Sequence, residues 1–275
     1  MRALEWQLFE AGYCTHAEWA ARKGGSRHRC QFPALAALIR HPDVGAILFD
    51  TGYSEAFLRA TEHMPERLYR VATPVQLRPG ESLREQLRGI GLPSSDIRMI
   101  VLSHLHGDHV GGIQDFPRAM LFCAQRAWDD MTRRGRLNAL SKGLLPGLVI
   151  AARNRLHWLE QRPAVALPPA FSDFGDGRDV LGDGALLAVP LPGHAAGQYG
   201  LLFRETSGRM VFLIADAAWS SQAIRDGVPP PRLVTGWLGD TRTYRQTLAR
   251  LHALSRNAPD VRIVPSHCSE WRPDA

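Results

Sequence analysis

Within six consecutive positions the chain carries His104, His106, Asp108 and His109, directly after the apolar run 97–102 and just before Val110, Gly111 and Gly112. A continuous apolar run closed by glycines reads as a buried strand ending in a turn. His104 and His106 then point the same way from the strand end, while Asp108 and His109 lie past a bend at Gly107 and can address a second position. Neutral imidazole nitrogens and carboxylate oxygens suit zinc and its borderline neighbours iron, manganese and cobalt. A single histidine beside a strand is usually a hydrogen-bonded core or surface residue. Four ligand-type side chains at this density favour a metal role, and one short segment can serve two ions.

The rest of the composition sets few obstacles to a globular protein. With 275 residues, 45% hydrophobic and 22% charged, the chain can bury a sizeable core as one large domain or two small ones. The net charge of +6 raises the question of nucleic acid, but the basic residues are almost all arginine and are scattered among 27 acidic groups. Neither local concentration, Arg22 to Arg29 or Arg133 to Arg136, alternates with aromatics as a single-strand platform would, so a solvated face is expected and nucleic acid is not. The four cysteines, Cys14, Cys30, Cys123 and Cys268, form no CxxC pair and are expected to be reduced. No signal-like amino terminus and no membrane-length apolar stretch stand out, so a soluble cytoplasmic protein is expected.

Along the chain, residues 4–9 and 34–39 are strand candidates separated by a polar loop over 16–31 that can border the site. Residues 45–49 form a buried strand that ends in Asp50. A carboxylate there can fix the ring of a ligating histidine; taken alone it is equally an ordinary turn residue. Residues 81–90 read as a helix with Ser82 and Glu85 as a capping box. A strand at 119–123 and a helix at 125–133 follow. Residues 134–160 carry a helical pattern through Leu156 and Leu159 and read as a cap or insertion rather than sheet. Further strands are expected at 179–181, 185–191, 198–203, 210–215 and 261–264. Between the last two lies the clearest helix, 240–255, with Tyr244, Leu248, Leu251 and Leu254 facing inward.

Three more ligand types follow buried runs directly: His194 in Pro-Gly-His, Asp216 in Ile-Ala-Asp and His267 in Pro-Ser-His. With the first cluster they supply five imidazoles and two carboxylates, enough for two ions sharing one carboxylate.

In this order the residues resemble the metallo-β-lactamase superfamily, over roughly residues 30–268 and including the strand end Phe49-Asp50-Thr51-Gly52. The resemblance implies a single domain over 1–275, a four-layer αβ/βα sandwich with a helical insertion near 124–160 and the metals at one edge of the sheets. It also implies two divalent ions, zinc first, with iron, manganese or cobalt as substitutes. His104, His106 and His194 would hold one ion, Asp108, His109 and His267 the other, and Asp216 would bridge them. Such a pair lowers the pKa of a shared water and supplies hydroxide to an ester-like carbonyl, with Asp108 moving the proton.

The phrase 92–97 followed by Leu102 to Gly112 is most similar to the acyl-homoserine lactone lactonase branch, which implies a small lactone or ester substrate and a quorum-quenching role. That branch has a tyrosine three residues after the bridging acid, where this chain has Trp219. Trp219 is expected chiefly as an apolar pocket wall, its N–H still a donor. Tyr199 can substitute from a neighbouring loop or simply sit in the core. Trp128, Met131, Leu137, Leu140, Leu144, Leu145 and Trp158 can wall an acyl chain, pack the insertion or form a homodimer contact. Alternative readings are a thioesterase, an arylesterase, a phosphotriester hydrolase or a metal-binding accessory protein in signalling or biosynthesis.

Overall fold

A computed structural model describes residues 1–273. Its central parallel strands, Gly45–Phe49, Ile97–Val101 and Met120–Cys123, are the continuous apolar runs of the sequence. Apart from the exposed Arg98 and the strand-starting Gly45 and Met120 they are buried on both faces, so no regular polar alternation marks a solvent side. Arg29–His41 and Ala3–Ala17 extend this first sheet antiparallel on one side, and Leu156–Trp158 adds a parallel strand on the other. A second sheet runs in the order Ala164–Ala166, Asp176–Asp179, Leu186–Pro190, Tyr199–Glu205, Met210–Ala215 and Arg262–Pro265. Ala3 and Leu4 pair with Arg204 and Glu205, joining the two sheets.

The second sheet shows why the layers form. Leu186, Ala188, Leu201, Phe203, Val211 and Leu213 face the large core shared with the first sheet. Their alternate neighbours Leu187, Val189, Leu202, Phe212 and Ile214 face a separate core with Tyr244, Leu248, Leu251 and Leu254. A period of two on the strands thus meets a period of 3.6 on the helix Thr241–Asn257, whose cap Asp240 accepts from Thr243 N at 2.7 Å. Together with the helices on the first sheet, this is the expected αβ/βα sandwich.

Several boundaries differ from the sequence expectation. The first strand continues to Ala17 because Gly12, at φ +74°, lets the register shift between Glu10 and Tyr13 while pairing continues. The connecting segment therefore shrinks to 18–28 and includes the short helix Glu18–Ala21. The helix expected at 81–90 runs Leu83–Gly89; Ser82 Oγ caps Glu85 N, and Glu85 Oε2 accepts from Ser82 Oγ and from Gly80 N. The stretch 134–160 is not all cap. Arg136–Ser141 and Pro146–Ile150 are helices, but Leu156–Trp158 is a strand, since three residues at an open sheet edge gain ladder hydrogen bonds that an isolated helical turn lacks. The strand expected at 179–181 ends at Asp179, whose carboxylate accepts from the Gly182 and Gly184 amides in a turn. The short helices Glu55–Ala60, Arg67–Ala72, Ser221–Asp226 and Arg232–Leu238 carry too few turns to imprint a period on the sequence. All four cysteines are free, and no helix among the described residues is long and apolar enough to cross a membrane.

One close approach fixes the second half of the site. Gly193 has φ +132°, and a Cβ there would lie 2.4 Å from the backbone of Tyr244. Only glycine lets the residue before His194 pack under the helix Thr241–Asn257. We therefore expect Gly193→Ala to lower the melting temperature and to reduce metal content. Gly147→Ala, which points into open space within a helix, should leave metal content unchanged and stability equal or higher by at most about 1 kcal/mol. Thermal denaturation with metal analysis of both variants checks this.

Candidate metal centre

The ligand-type residues converge from the carboxyl ends of strands in both sheets. Asp50 follows Phe49, His104 and its neighbours follow Val101, Asp216 follows Ala215, and His267 follows Pro265. Asp50 at φ 60° and Ala215 at φ 48° are the two non-glycine residues with positive φ among those described. Left-handed backbone costs an ordinary residue about 1–2 kcal/mol. Both instances lie at this site, where the turn aims a carboxylate back toward the sheet edge.

Asp50 is the hub. Its Oδ1 accepts from Ser103 N at 2.8 Å, and its Oδ2 accepts from Ser103 Oγ at 2.7 Å and from His109 Nδ1 at 2.7 Å. Ser103 Oγ, having donated its proton to Asp50, accepts from His104 Nδ1 at 2.9 Å. Both rings are thereby fixed with Nδ1 protonated and Nε2 turned inward. His267 is fixed likewise, its Nδ1 donating to the Pro33 carbonyl at 2.7 Å.

The inward atoms form three groups whose ligand atoms lie within 4.8 Å of one another: His104 with His106 and His194, His104 with His109 and Asp216, and Asp108 with His109 and His267. Asp216 joins the sets. Its Oδ1 lies 3.2 Å from His109 Nε2, and its Oδ2 lies 3.2 Å from both His194 Nε2 and His267 Nε2. His194 Nε2 is 3.0 Å from His106 Nδ1. Asp108 Oδ2 faces His267 Nε2 at 3.4 Å.

These residues fit divalent cations. His104 Nε2 is buried with no hydrogen-bond partner, a cost that a cation would remove, and His109 Nε2 and Asp216 Oδ1 face each other at 3.2 Å without a well-formed hydrogen bond. The donor set is all nitrogen and oxygen, as zinc, iron, manganese and cobalt accept.

Burial, reinforced by neighbouring imidazoles, holds His104 and His106 well below the ordinary histidine range, and burial lowers His194 to about 4. Burial opposes charge on His109 and His267 as well. Asp50 and Asp216 outweigh it at His109, which is raised well above that range, and Asp216 outweighs it at His267, raised to about 8. Burial likewise opposes ionisation of Asp216, but His267, His109 and His194 hold it well below the usual carboxylate range.

The centre opens into a cleft of about 1110 Å³ whose lining includes His106, Asp108, His194, Asp216 and His267 together with Trp219, Phe32, Leu68, Leu140 and Leu238. Trp219 is both wall and donor: its Nε1 donates to Asp216 Oδ2 at 2.9 Å, and its ring stands edge-on to His194 at 5.6 Å. Tyr199 is not at the centre. Its backbone N donates to Ser103 O at 2.9 Å, but its buried phenol lies toward Arg178, outside the cleft lining. Of the insertion residues, Leu137 and Leu140 line the cleft, while Met131, Leu144 and Leu145 join the core and Trp128 and Trp158 pack against it. Cys268 Sγ accepts from Ser221 N at 3.2 Å, away from the ligands.

Two participants escaped the sequence reading. The Pro33 carbonyl is backbone and carries no side-chain signal. Tyr69, half-buried in the cleft wall with Oη 3.5 Å from Asp108 Oδ1, sits on a helix too short to predict. Burial and then Asp108 push its phenol well above the ordinary tyrosine range.

With this geometry, a match to the metallo-beta-lactamase superfamily over residues 31–267 places the chain: it belongs to that superfamily. Within it, the chain is similar to the N-acyl homoserine lactonase AttM of Azorhizobium caulinodans, 29% identical over 70% of this chain and 65% of that one. It is similar also to the N-acyl homoserine lactonase AiiB of Agrobacterium fabrum, 27% identical over 82% and 76% of the two chains. The probable metallo-hydrolase Rv2300c of Mycobacterium tuberculosis is 28% identical over 84% and 73%. A solved N-acyl homoserine lactone hydrolase, with N-hexanoyl-L-homoserine bound at its catalytic metal center, shares the fold at a TM-score of 0.71 and 18% identity, over 98% and 95% of the two chains.

Two outcomes follow for metal binding. Without metal, His109 and His267 each carry a second ring proton near neutrality, and a cation must displace both. Affinity should climb with pH and flatten in its His267 component above about 8, where that proton leaves unaided. Calorimetric zinc titrations in buffers of differing ionisation enthalpy should register proton release near neutrality; a pH-independent affinity would contradict this. Asp50→Asn places an amide donor against two donors and should weaken metal binding about 10–100-fold, as read by chelator competition.

Proposed function

We propose that the protein is a metal-dependent hydrolase that opens a lactone or closely related ester, with N-acyl homoserine lactones as the leading substrate class and two divalent ions, zinc first, as cofactors. The observation that carries this reading is the direct opening of a largely apolar cleft onto Asp108, Asp216 and three of the five site histidines. Its volume of about 1110 Å³ accommodates an acyl chain beside a lactone ring. The likeness to two N-acyl homoserine lactonases supports the same class.

Bound ions at such a centre supply hydroxide at neutral pH and polarise the ester carbonyl. The chain's own residues do the rest. The ring partners of His104, His109 and His267 hold those imidazoles in one tautomer, so the ligand lone pairs are in place before substrate arrives. Phe32, Leu68, Leu140 and Leu238 exclude water from the acyl side of the cleft. Asp108 faces both the cleft and His267, where its carboxylate can take up the proton of the attacking water. Trp219 Nε1 holds Asp216 Oδ2, so its one proton is engaged and the ring serves as wall.

The test is a panel of short- and long-chain acyl-homoserine lactones, a thioester, an aryl ester and a phosphotriester with metal-loaded protein. The lactones should turn over fastest. Chelation should abolish activity and added zinc restore it, while Asp108→Asn should cost at least about 10²-fold. Two bound ions with no lactone turnover would sink the reading.

A further inference from the structure

Of the five tyrosines in the chain, Tyr69 is the one that lines the cleft. Its Oη is 3.5 Å from Asp108 Oδ1, while the opposite oxygen, Asp108 Oδ2, faces His267 Nε2 at 3.4 Å. The ring is held in that direction. It stands edge-on to Phe57 at 5.2 Å and 79°, and Phe57 stands edge-on to Tyr53 at 4.8 Å. The absence of a side chain at Gly107 makes room for it: a Cβ there would lie 3.2 Å from Tyr69 Cε2 and 3.0 Å from Phe57 Cε2. A carboxylate only accepts, so the phenol O–H donates to Asp108. Elsewhere in the lining, the Trp219 N–H is already engaged by Asp216 at 2.9 Å.

We propose that Tyr69 is the positioning residue for Asp108 and relays its proton to the leaving group: it fixes Oδ1 so that Oδ2 stays turned to the ligand cluster, and it passes a proton onward in the hydrolytic cycle. The inference rests on the hydrolase reading for its second half only. In that half, water adds to the ester carbonyl and gives one proton to Asp108. Once protonated, Asp108 Oδ1 becomes the donor and the Tyr69 O–H turns from it to the leaving oxygen; when the C–O bond of the tetrahedral intermediate breaks, the phenol gives its proton to the departing alkoxide and takes the one from Asp108 Oδ1. The products are a carboxylic acid and an alcohol; Tyr69 ends neutral and Asp108 ends as carboxylate, ready for the next water.

Tyr69→Phe keeps the ring and its packing and removes only the hydroxyl. Chelator competition with zinc should show one of the two ions bound about tenfold more weakly, the lower end of what such outer hydrogen bonds contribute. In an Asp108→Asn background, the same substitution should cause no further loss. In turnover, Tyr69→Phe should lower kcat about 10²-fold for a lactone or alkyl ester, whose alkoxide needs a proton. It should change kcat little for an aryl ester whose phenolate leaves without one.

A uniform loss across leaving groups with unchanged metal affinity would reduce Tyr69 to a packing residue and overturn the proposal. So would a loss of affinity that persists in the Asp108→Asn background. If the unaltered protein hydrolyses no ester, the hydrolase reading and the relay fail together, while the zinc competition still decides whether Tyr69 positions Asp108. Circular dichroism and melting of Tyr69→Phe, with Tyr69→Leu as a ring-deleting comparison, separate misfolding from loss of the hydroxyl.

Discussion

The buried Asp50 carboxylate ties the two imidazole-bearing parts of the 103–109 segment to the sheet. Its two oxygens gather the Ser103 amide, the Ser103 hydroxyl and the His109 ring N–H, and through Ser103 they reach the His104 ring. Hydrogen bonds to a charged acceptor contribute about 1.5–3 kcal/mol each, which comfortably exceeds the backbone cost of about 1–2 kcal/mol for its left-handed conformation. Asp50 N also donates to Val101 O at 3.0 Å, so the ends of two adjacent parallel strands are locked together. The ring orientations of His104 and His109 depend on that lock.

The second sheet supplies the complementary half. His194, Asp216 and His267 each sit where a strand has just ended, with Gly193 and Ala215 providing the unusual backbone that aims two of them. Without cations, the cluster is held by an ionised Asp216 surrounded by three imidazoles, two of them with raised pKa. Protons on His109 and His267 thus neutralise the carboxylates where cations would. Such a centre is preorganised in geometry yet must exchange protons for metal, which makes its loading a function of pH.

The convergence of the His and Asp side chains was legible in the sequence because the 103–109 segment, His194, Asp216 and His267 each come soon after a buried apolar run, and strand ends are where an open sheet collects polar groups. Asp50 was legible for the same reason. The helix Thr241–Asn257 was legible because it is long enough to show its period. The Pro33 carbonyl that orients His267 lies 234 positions away and involves no side chain. Leu156–Trp158 misleads because an apolar pair two apart, extended by Leu159, matches strand and helix about equally. Tyr199 was a reasonable candidate by proximity, and its backbone does touch Ser103. Its side chain points elsewhere, a choice of face that a sequence neighbour of the site does not reveal.

Trp219 bears on which wall of the cleft supplies proton chemistry. An indole has one N–H and no acceptor, so once its proton is directed to Asp216 Oδ2 it has nothing further to offer a substrate oxygen. A phenol differs, since it can accept and donate at once. In this chain the hydroxyl-bearing aromatic in the cleft stands on the Asp108 side, braced by Phe57 and accommodated by Gly107. The Asp216 carboxylate thus receives the indole N–H and the Asp108 carboxylate the phenol O–H. Substitution at either ring should act on a different carboxylate: at Trp219 on Asp216, which faces His109, His194 and His267, and at Tyr69 on Asp108, which faces His267.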